Sequence, residues 1–352
     1  MKFVEPKYSR SQINKAGESF RGAGSLALED LDIFDNWRAA HSYPMQIFYN
    51  RLKKTSKSVD SSALVAQRLK RTSSIIAKLG RSYGGHKPTM ELYQMQDIAG
   101  CRAILKNVDL AKKLAEEHYV KGDLKHKLVN KKDYIAKPKS DGYRSIHLIY
   151  RYRSDKAKTA YNGLLVEVQI RSKLQHLWAT AVEAVGFFTR QAIKSNEGSP
   201  EWTEFFKLVS SAFAKMESCP LVPDLPTDER ELYAQILQKE RELNVINKIE
   251  QWAAAIQTFE EREMTKGATF FLLELNIKDE KLTIRRFTKK EEQMALDEYA
   301  ALEKKYAGNK EYDVVLTGVD KANDLRKAYP NYYVDMGEFA QNLKSIIQKA
   351  QR

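Results

Sequence analysis

Leu164-Leu165-Val166-Glu167-Val168-Gln169-Ile170-Arg171 is the stretch on which the fold turns. Val166, Val168 and Ile170 alternate with Glu167, Gln169 and Arg171, and alternate side chains of a strand share a face. One face is apolar and calls for helices packed against it. The other brings together a carboxylate, an amide and a guanidinium, where a solvated strand would more often carry Thr, Ser or Lys. A second strand precedes it over 145–153, with Ile146, Leu148, Tyr150 and Tyr152 alternating with His147, Ile149, Arg151 and Arg153. Helices are expected over 172–190 and 201–216.

Upstream, the spacing of Leu28, Leu31, Phe34 and Trp37 predicts a helix over 26–55, and 61–80 reads as a second. The first 25 or so residues read as a loosely held arm. Residues 81–89 and 136–143 are turn-rich loops, 99–105 a strand and 109–119 a helix. Downstream, three prolines mark 219–230 as a linker, followed by a long helix over about 228–262. A small α/β unit closes the chain. Its strands fall at 269–277, 281–287 and 312–317, and its helices at about 289–306, 320–328 and 336–350.

The 352 residues carry a net charge of +13, unevenly placed. Residues 1–190 hold 35 Lys+Arg against 18 Asp+Glu, a net +17, and residues 191–352 hold 24 against 28, a net −4. A basic front half fits a polyanionic ligand such as a nucleotide or RNA, and equally a solvated lysine-rich surface. No apolar run reaches the roughly 20 residues of a membrane helix, and MKFVEPKYSR has no apolar core of a signal peptide. The expected compartment is the cytoplasm, with no membrane partner. Two distant cysteines, Cys101 and Cys219, argue against a disulfide framework or a structural zinc site.

Four segments carry candidate chemistry. On a helix, Lys70, Ser74 and Lys78 would share a face suited to a triphosphate, or merely solvated. Asp97, ahead of Ile-Ala-Gly-Cys-Arg102, could hold Mg²⁺ or simply end a turn. Lys137-Pro-Lys-Ser-Asp-Gly142-Tyr143-Arg144-Ser-Ile-His147 offers a tyrosine for base stacking in a basic loop, or an ordinary hairpin turn. The fourth is the Glu167–Arg171 strand face.

Taken in order, the four resemble the synthetase domain of the RelA/SpoT family, the makers of (p)ppGpp, over about 45–190. The matching motifs are R-x-K-x-x-x-S-I-x-x-K at Arg68–Lys78, D-I-A-G-x-R at Asp97–Arg102, G-Y-R-S-x-H at Gly142–His147 and V-E-V-Q-I-R at Val166–Arg171. The resemblance implies an α+β fold, a nucleotidyltransferase-like mixed sheet flanked by helices. It implies ATP as pyrophosphate donor, with Arg68 and Arg102 sandwiching adenine and Lys70, Ser74 and Lys78 on the phosphates. Asp97 and Glu167 would bind Mg²⁺, and Glu167 would also take the proton of the acceptor hydroxyl. Tyr143 would stack on the acceptor base, with His147, Gln169, Arg144 and Arg171 around the acceptor. The family's hydrolase motif is absent, and the helix after Trp178 lacks the histidine often found behind its glutamate.

The tail is a further departure. A synthetase followed by about 130 residues resembles the CapRel type, toxins fused to their own antitoxin, which pyrophosphorylate the 3′ end of tRNA and act in phage defence. In that group a metal-free, zinc-finger-like C-terminal domain blocks the ATP site through a Y-x-x-Y motif until a phage protein, such as a capsid protein, relieves it. Tyr329-Pro-Asn-Tyr332 fits the motif, though two tyrosines around a Pro-Asn turn also serve as packing residues. The resemblance divides the chain into a pyrophosphokinase domain at 1–218, a linker and helix at 219–266, and an antitoxin or sensor domain at 267–352. The alternatives are a (p)ppGpp synthetase acting on GDP or GTP with a regulatory tail, and a non-catalytic RNA- or nucleotide-binding module.

Overall fold

A computed structural model of the chain describes residues 3–21, 27–82, 88–188, 200–246, 269–276, 281–307, 309, 312–318 and 337–351. Tyr329 and Tyr332 and the 320–328 helix lie outside the described residues, as does the second half of the 228–262 helix.

The N-terminal residues are not a loose arm. Ser9 and Gln12 form a reciprocal capping box that starts α1 (Arg10–Ser19), and Ile13 and Ala16 are buried from it. The single helix expected over 26–55 is two, α2 (Leu28–Ala40) and α3 (Ser42–Val59), meeting at His41. His41 is buried, with Nδ1 2.8 Å from the Trp37 carbonyl.

The 61–80 helix is also corrected. Residues Leu64–Leu69 form β1, and only Thr72–Leu79 are helical, as α4. Strand β2 (Ala99–Leu105) supplies the reason. It pairs antiparallel with β1 over the whole of that strand, from Leu64↔Ile104 to Leu69↔Ala99. Lys70 therefore follows a strand and does not share a helix face with Ser74 and Lys78.

Asn107 caps α5 (Val108–Lys113), which widens into a π-helical turn through Val120. A strand absent from the sequence reading, β3 (Lys127–Asp133), pairs with β4 (Ile146–Arg151), which pairs with β5 (Leu165–Ser172). Strand β5 runs parallel to β2. These five strands make the expected mixed sheet, ordered β3-β4-β5-β2-β1. Val166, Val168 and Ile170 are fully buried in the main core, together with Phe48 and Leu52 of α3.

Helices α6 (Lys173–Phe188), α7 (Pro200–Met216) and α8 (Glu229–Leu243) build a second core. The long 228–262 helix is interrupted: Asn244 takes a left-handed conformation, φ 51°, behind the last turn of α8. Asparagine tolerates that region better than most residues.

In the tail, β6 (Phe270–Asn276), β7 (Lys281–Phe287), α9 (Glu292–Lys305) and β8 (Tyr312–Gly318) enclose a small core of their own around Leu272, Tyr299 and Leu302. The last helix, α10 (Gly337–Ala350), leaves that unit and sinks Phe339, Leu343 and Ile346 into the α6–α8 core. Among the described residues, Gln67 of β1 pairs with Gly318 of β8, which extends the sheet to eight strands in the order β3-β4-β5-β2-β1-β8-β6-β7. Among the described residues no helix is long and apolar enough to cross a membrane.

Candidate functional site

The polar faces of β1, β2 and β5 open into a cleft of about 250 Å³. Register explains the convergence. Glu167 lies beside Gly100 and Gln169 beside Arg102 on β2, while Arg68 faces Gly100 from β1. Asp97 and Lys70 sit just beyond the ends of β2 and β1, joined by the Lys70 amide donating to the Ile98 carbonyl at 2.7 Å.

On one side of the cleft, Asp97 is gripped by two ammonium groups. Lys70 Nζ lies 3.2 Å from Oδ2 and Lys78 Nζ 2.8 Å from Oδ1. Burial pushes the Asp97 carboxyl up, but Lys70 and Lys78 outweigh it and leave its pKa below the ordinary value. Burial depresses the Lys70 ammonium, with Asp97 opposing. Ser74 lies on α4, half-buried, and does not line the cleft.

On the other side runs a connected chain. His147 Nδ1 lies 2.8 Å from Glu167 Oε1, and Tyr143 Oη lies 2.9 Å from His147 Nε2. A carboxylate can only accept, so Nδ1 carries the proton and Nε2 accepts from the tyrosine. Gln169 Nε2 donates to Glu167 Oε2 at 2.7 Å, and its Oε1 accepts from Arg102 Nε at 3.3 Å. Burial would raise the Glu167 carboxyl, yet the His147 hydrogen bond holds it below the usual range. Glu167 is therefore a charged, oriented acceptor at neutral pH.

Arg171 is buried behind these groups. Burial, and then the neighbouring Arg102 charge, pushes its pKa well below the ordinary value. An anion entering the cleft relieves that repulsion. Asp97 and Glu167 are near enough for their charges to interact. They offer the two carboxylates that Mg²⁺ needs when phosphates and water supply its other oxygens. Among the described residues no group of three or more His, Cys, Asp or Glu could hold a metal unaided.

Tyr143 is placed by Gly142, whose φ is +92°. A Cβ there would meet Ser210 Cβ at 2.9 Å and the Trp178 ring at 3.1 Å. Ser210 Oγ donates to the Gly142 carbonyl at 2.6 Å, and Arg144 Nε donates to Ser210 Oγ at 3.1 Å. Arg144 thus departs from the expectation of an acceptor contact: its side chain is buried against α7, outside the cleft. Its neighbour Ser145 turns into the sheet, and this alternation carries Arg144 away from Tyr143.

Tyr134 went unsingled in the sequence, while Lys139 was read only as part of its basic loop and Glu183 only as the glutamate of the helix after Trp178. Glu183 of α6 lines the cleft. Tyr134 stands edge-on to His147 at 5.4 Å, and Lys139 Nζ lies over both the Tyr134 and Tyr143 rings, at 4.8 and 5.1 Å. Tyr134 follows β3, the strand the alternation did not reveal.

Residues 67–189 match the family model described as the region found in RelA / SpoT proteins. A GTP pyrophosphokinase of Bacillus subtilis is 34% identical over 123 residues, covering 35% of this chain and 56% of that protein. A probable chloroplastic GTP diphosphokinase of Arabidopsis thaliana is 30% identical over 156 residues, 40% of this chain and 20% of that one. The chain thus spans about half the length of the first of these relatives and less of the other. Among solved structures, the small alarmone synthetase 1 of Bacillus subtilis aligns with 26% identity and a TM-score of 0.44, over 53% of this chain and 93% of that one.

Proposed function

We propose that this chain, with its RelA/SpoT synthetase region at 67–189, transfers the β,γ-pyrophosphate of ATP to a ribose hydroxyl of a second nucleotide or nucleic acid. The observation that carries the reading is one cleft with two unlike sides: Lys70 and Asp97 on one, with Lys78 reaching Asp97 from α4, and Tyr143 and Glu167 on the other, bridged by His147. The acceptor oxygen bonds to the β-phosphorus, the bond from the α,β-bridging oxygen to that phosphorus breaks, and AMP leaves. Lys70 and Lys78 exchange Asp97 for phosphate oxygens and offset charge building there. Arg68 and Arg102 flank the adenine. Glu167 takes the hydroxyl proton, held on its lone pairs by His147 and Gln169. Asp97 and Glu167 would hold Mg²⁺, which would supply Lewis-acid stabilisation of the phosphates.

The acceptor we favour is the 3′ end of tRNA, with the activity held off at rest by the fused tail and released by a phage protein. The net +17 of residues 1–190 and the tail strand β8 laid against β1 support this reading. Tyr329 and Tyr332, the proposed blocking residues, lie outside the described residues. A second reading, GDP or GTP as acceptor, draws on the GTP-using relatives. The test is transfer of label from γ-labelled ATP with tRNA and GDP offered separately, with and without a released tail. Label on tRNA is expected. Label on GDP alone under both conditions decides for the second reading, and label on neither removes the pyrophosphokinase assignment.

A further inference from the structure

Arg144 is 4% exposed, and among the described residues neither Nη1 nor Nη2 has a hydrogen-bond partner. Its Nε donates to Ser210 Oγ of α7 at 3.1 Å. A buried N–H left without an acceptor is costly, and native interiors meet such groups with protein atoms or ordered water. The guanidinium borders a cavity of about 10 Å³, room for one water molecule. Glu217, just beyond α7, lines the same cavity, and its carboxylate accepts from Gln175 Nε2 of α6 at 3.2 Å. The two charges feel each other across it. Burial depresses the Arg144 guanidinium to about 10, with Cys219 and then Glu217 opposing. Burial raises the Glu217 carboxyl, with Ser172, Gln175 and Arg144 opposing.

The same cluster grips the acceptor side of the cleft. Ser210 Oγ donates to the Gly142 carbonyl at 2.6 Å, and Tyr143 follows Gly142 directly. Inside the loop, Gly142 N–H donates to the Lys139 carbonyl at 2.9 Å and Tyr143 N–H to Asp141 Oδ1 at 2.8 Å. Those bonds shape the turn, and its hold on α7 comes through Ser210 and Arg144.

We propose that Arg144 is a positioning residue for the transfer: directly through Ser210, and through one buried water shared with Glu217, it fixes the loop between β3 and β4 on α7 and so sets Tyr143 against His147. This role rests on the function proposed above and adds to it a residue that lies outside the cleft. Water suits the cavity because it accepts from the Arg144 N–H groups and donates to the Glu217 carboxylate. Arginine suits the position because its planar fork holds Ser210 and the water at once, where a lysine ammonium offers a single nitrogen.

The experiment uses the full chain, with tRNA or GDP as acceptor, whichever takes label in the transfer assay above and under the condition that gives transfer. Arg144→Met, Ser210→Ala and the double variant are compared by steady-state kinetics, and by calorimetry with the α,β-methylene analogue of ATP. Each single substitution should lower kcat/KM for the acceptor about tenfold, as the loss of one charge-assisted hydrogen bond predicts. Affinity for the analogue should stay as it is, because Lys70, Lys78 and Asp97 are untouched. The double variant should also lose about tenfold, where two independent sites would lose about a hundredfold. Glu217→Met should reproduce part of the loss, about threefold. Arg144→Met with the acceptor constants of the unsubstituted chain overturns the proposal, as does a hundredfold loss in the double variant. A parallel fall in analogue affinity makes Arg144 a general support of the fold and overturns it too. If Arg144→Met does not fold, Arg144→Lys keeps the charge and carries the same comparison. Unchanged transfer by Glu217→Met overturns the water bridge. An unsubstituted chain that labels neither acceptor removes the function proposed above, and the positioning role with it.

Discussion

Asp97 shows how the cleft reconciles stability with function. Its two oxygens are saturated by Lys70 and Lys78, so the carboxylate is charged and paired before any ligand arrives. Its folded pKa lies below the ordinary 3.8. A depressed carboxylate contributes stability that is fully present above the unfolded value and is lost as pH falls through the folded one. Asp97→Asn should therefore cost roughly 1–3 kcal/mol between pH 5 and 8, and that difference should shrink below about pH 4. Urea unfolding midpoints of the two chains across this range provide the check, and a difference that persists undiminished at pH 3 contradicts it. Most of this chemistry was legible as residue types. Asp97, Glu167, Gln169 and Tyr143 do meet in one cleft, with His147 hydrogen-bonded to Glu167 and Tyr143. Glu183 was legible only as the glutamate of the helix after Trp178, and its place on the cleft emerges once β5 and α6 are packed. Arg144 misled for the converse reason: adjacency to Tyr143 in sequence does not survive alternation.

At the scale of elements, the difference between reading and structure is concentrated where pairing overrides spacing. Lys70, Ser74 and Lys78 have helical intervals, yet the six residues before Lys70 are claimed by β2. Two lysines from different elements then reach the same carboxylate, a tighter arrangement than one helix face gives. Strand β3 was missed because Lys127, Lys131 and Lys132 dominate it, as expected of an edge strand that must resist pairing with other chains. The loop between β3 and β4 carries a sharper constraint. Gly142 sits at positive φ with Ser210 and Trp178 against its α-carbon. Gly142→Ala should cost about 1–3 kcal/mol through strain at that position. It should also displace Tyr143, loosening the hydrogen bond that fixes His147 on Glu167. The expected outcome is a pyrophosphate-transfer rate at least about tenfold lower, with ATP binding little changed because the Lys70–Asp97–Lys78 side is untouched. Transfer kinetics beside calorimetry with the ATP analogue separate the two effects.

The whole molecule is fastened to its tail at two places of different character. Strand β8 and helix α9 meet β1 and α4 through one backbone pairing and the polar contacts of Arg38, Tyr299, Thr72 and Glu303. Helix α10 is held by apolar burial: Phe339 is fully buried against Phe206 and Phe213 of α7, and Leu343 is fully buried too. Polar contacts with water available on release exchange at modest cost, whereas emptying an aromatic site in a packed core costs about 3–5 kcal/mol. Under the proposed reading, in which the tail holds the activity off, this asymmetry favours opening at the cleft with α10 still docked. It also makes simple truncation a poor probe, since removing α10 strips the cover from the α6–α8 core. Phe339→Ala should lower the thermal unfolding midpoint by several degrees, while Glu303→Ala should leave it nearly unchanged and raise transfer activity. Melting curves and labelled-ATP assays on the two full-length variants test the division of labour. If Phe339→Ala leaves the midpoint where it was, α10 is not the tether, and the tail must leave the catalytic half altogether when it lets go.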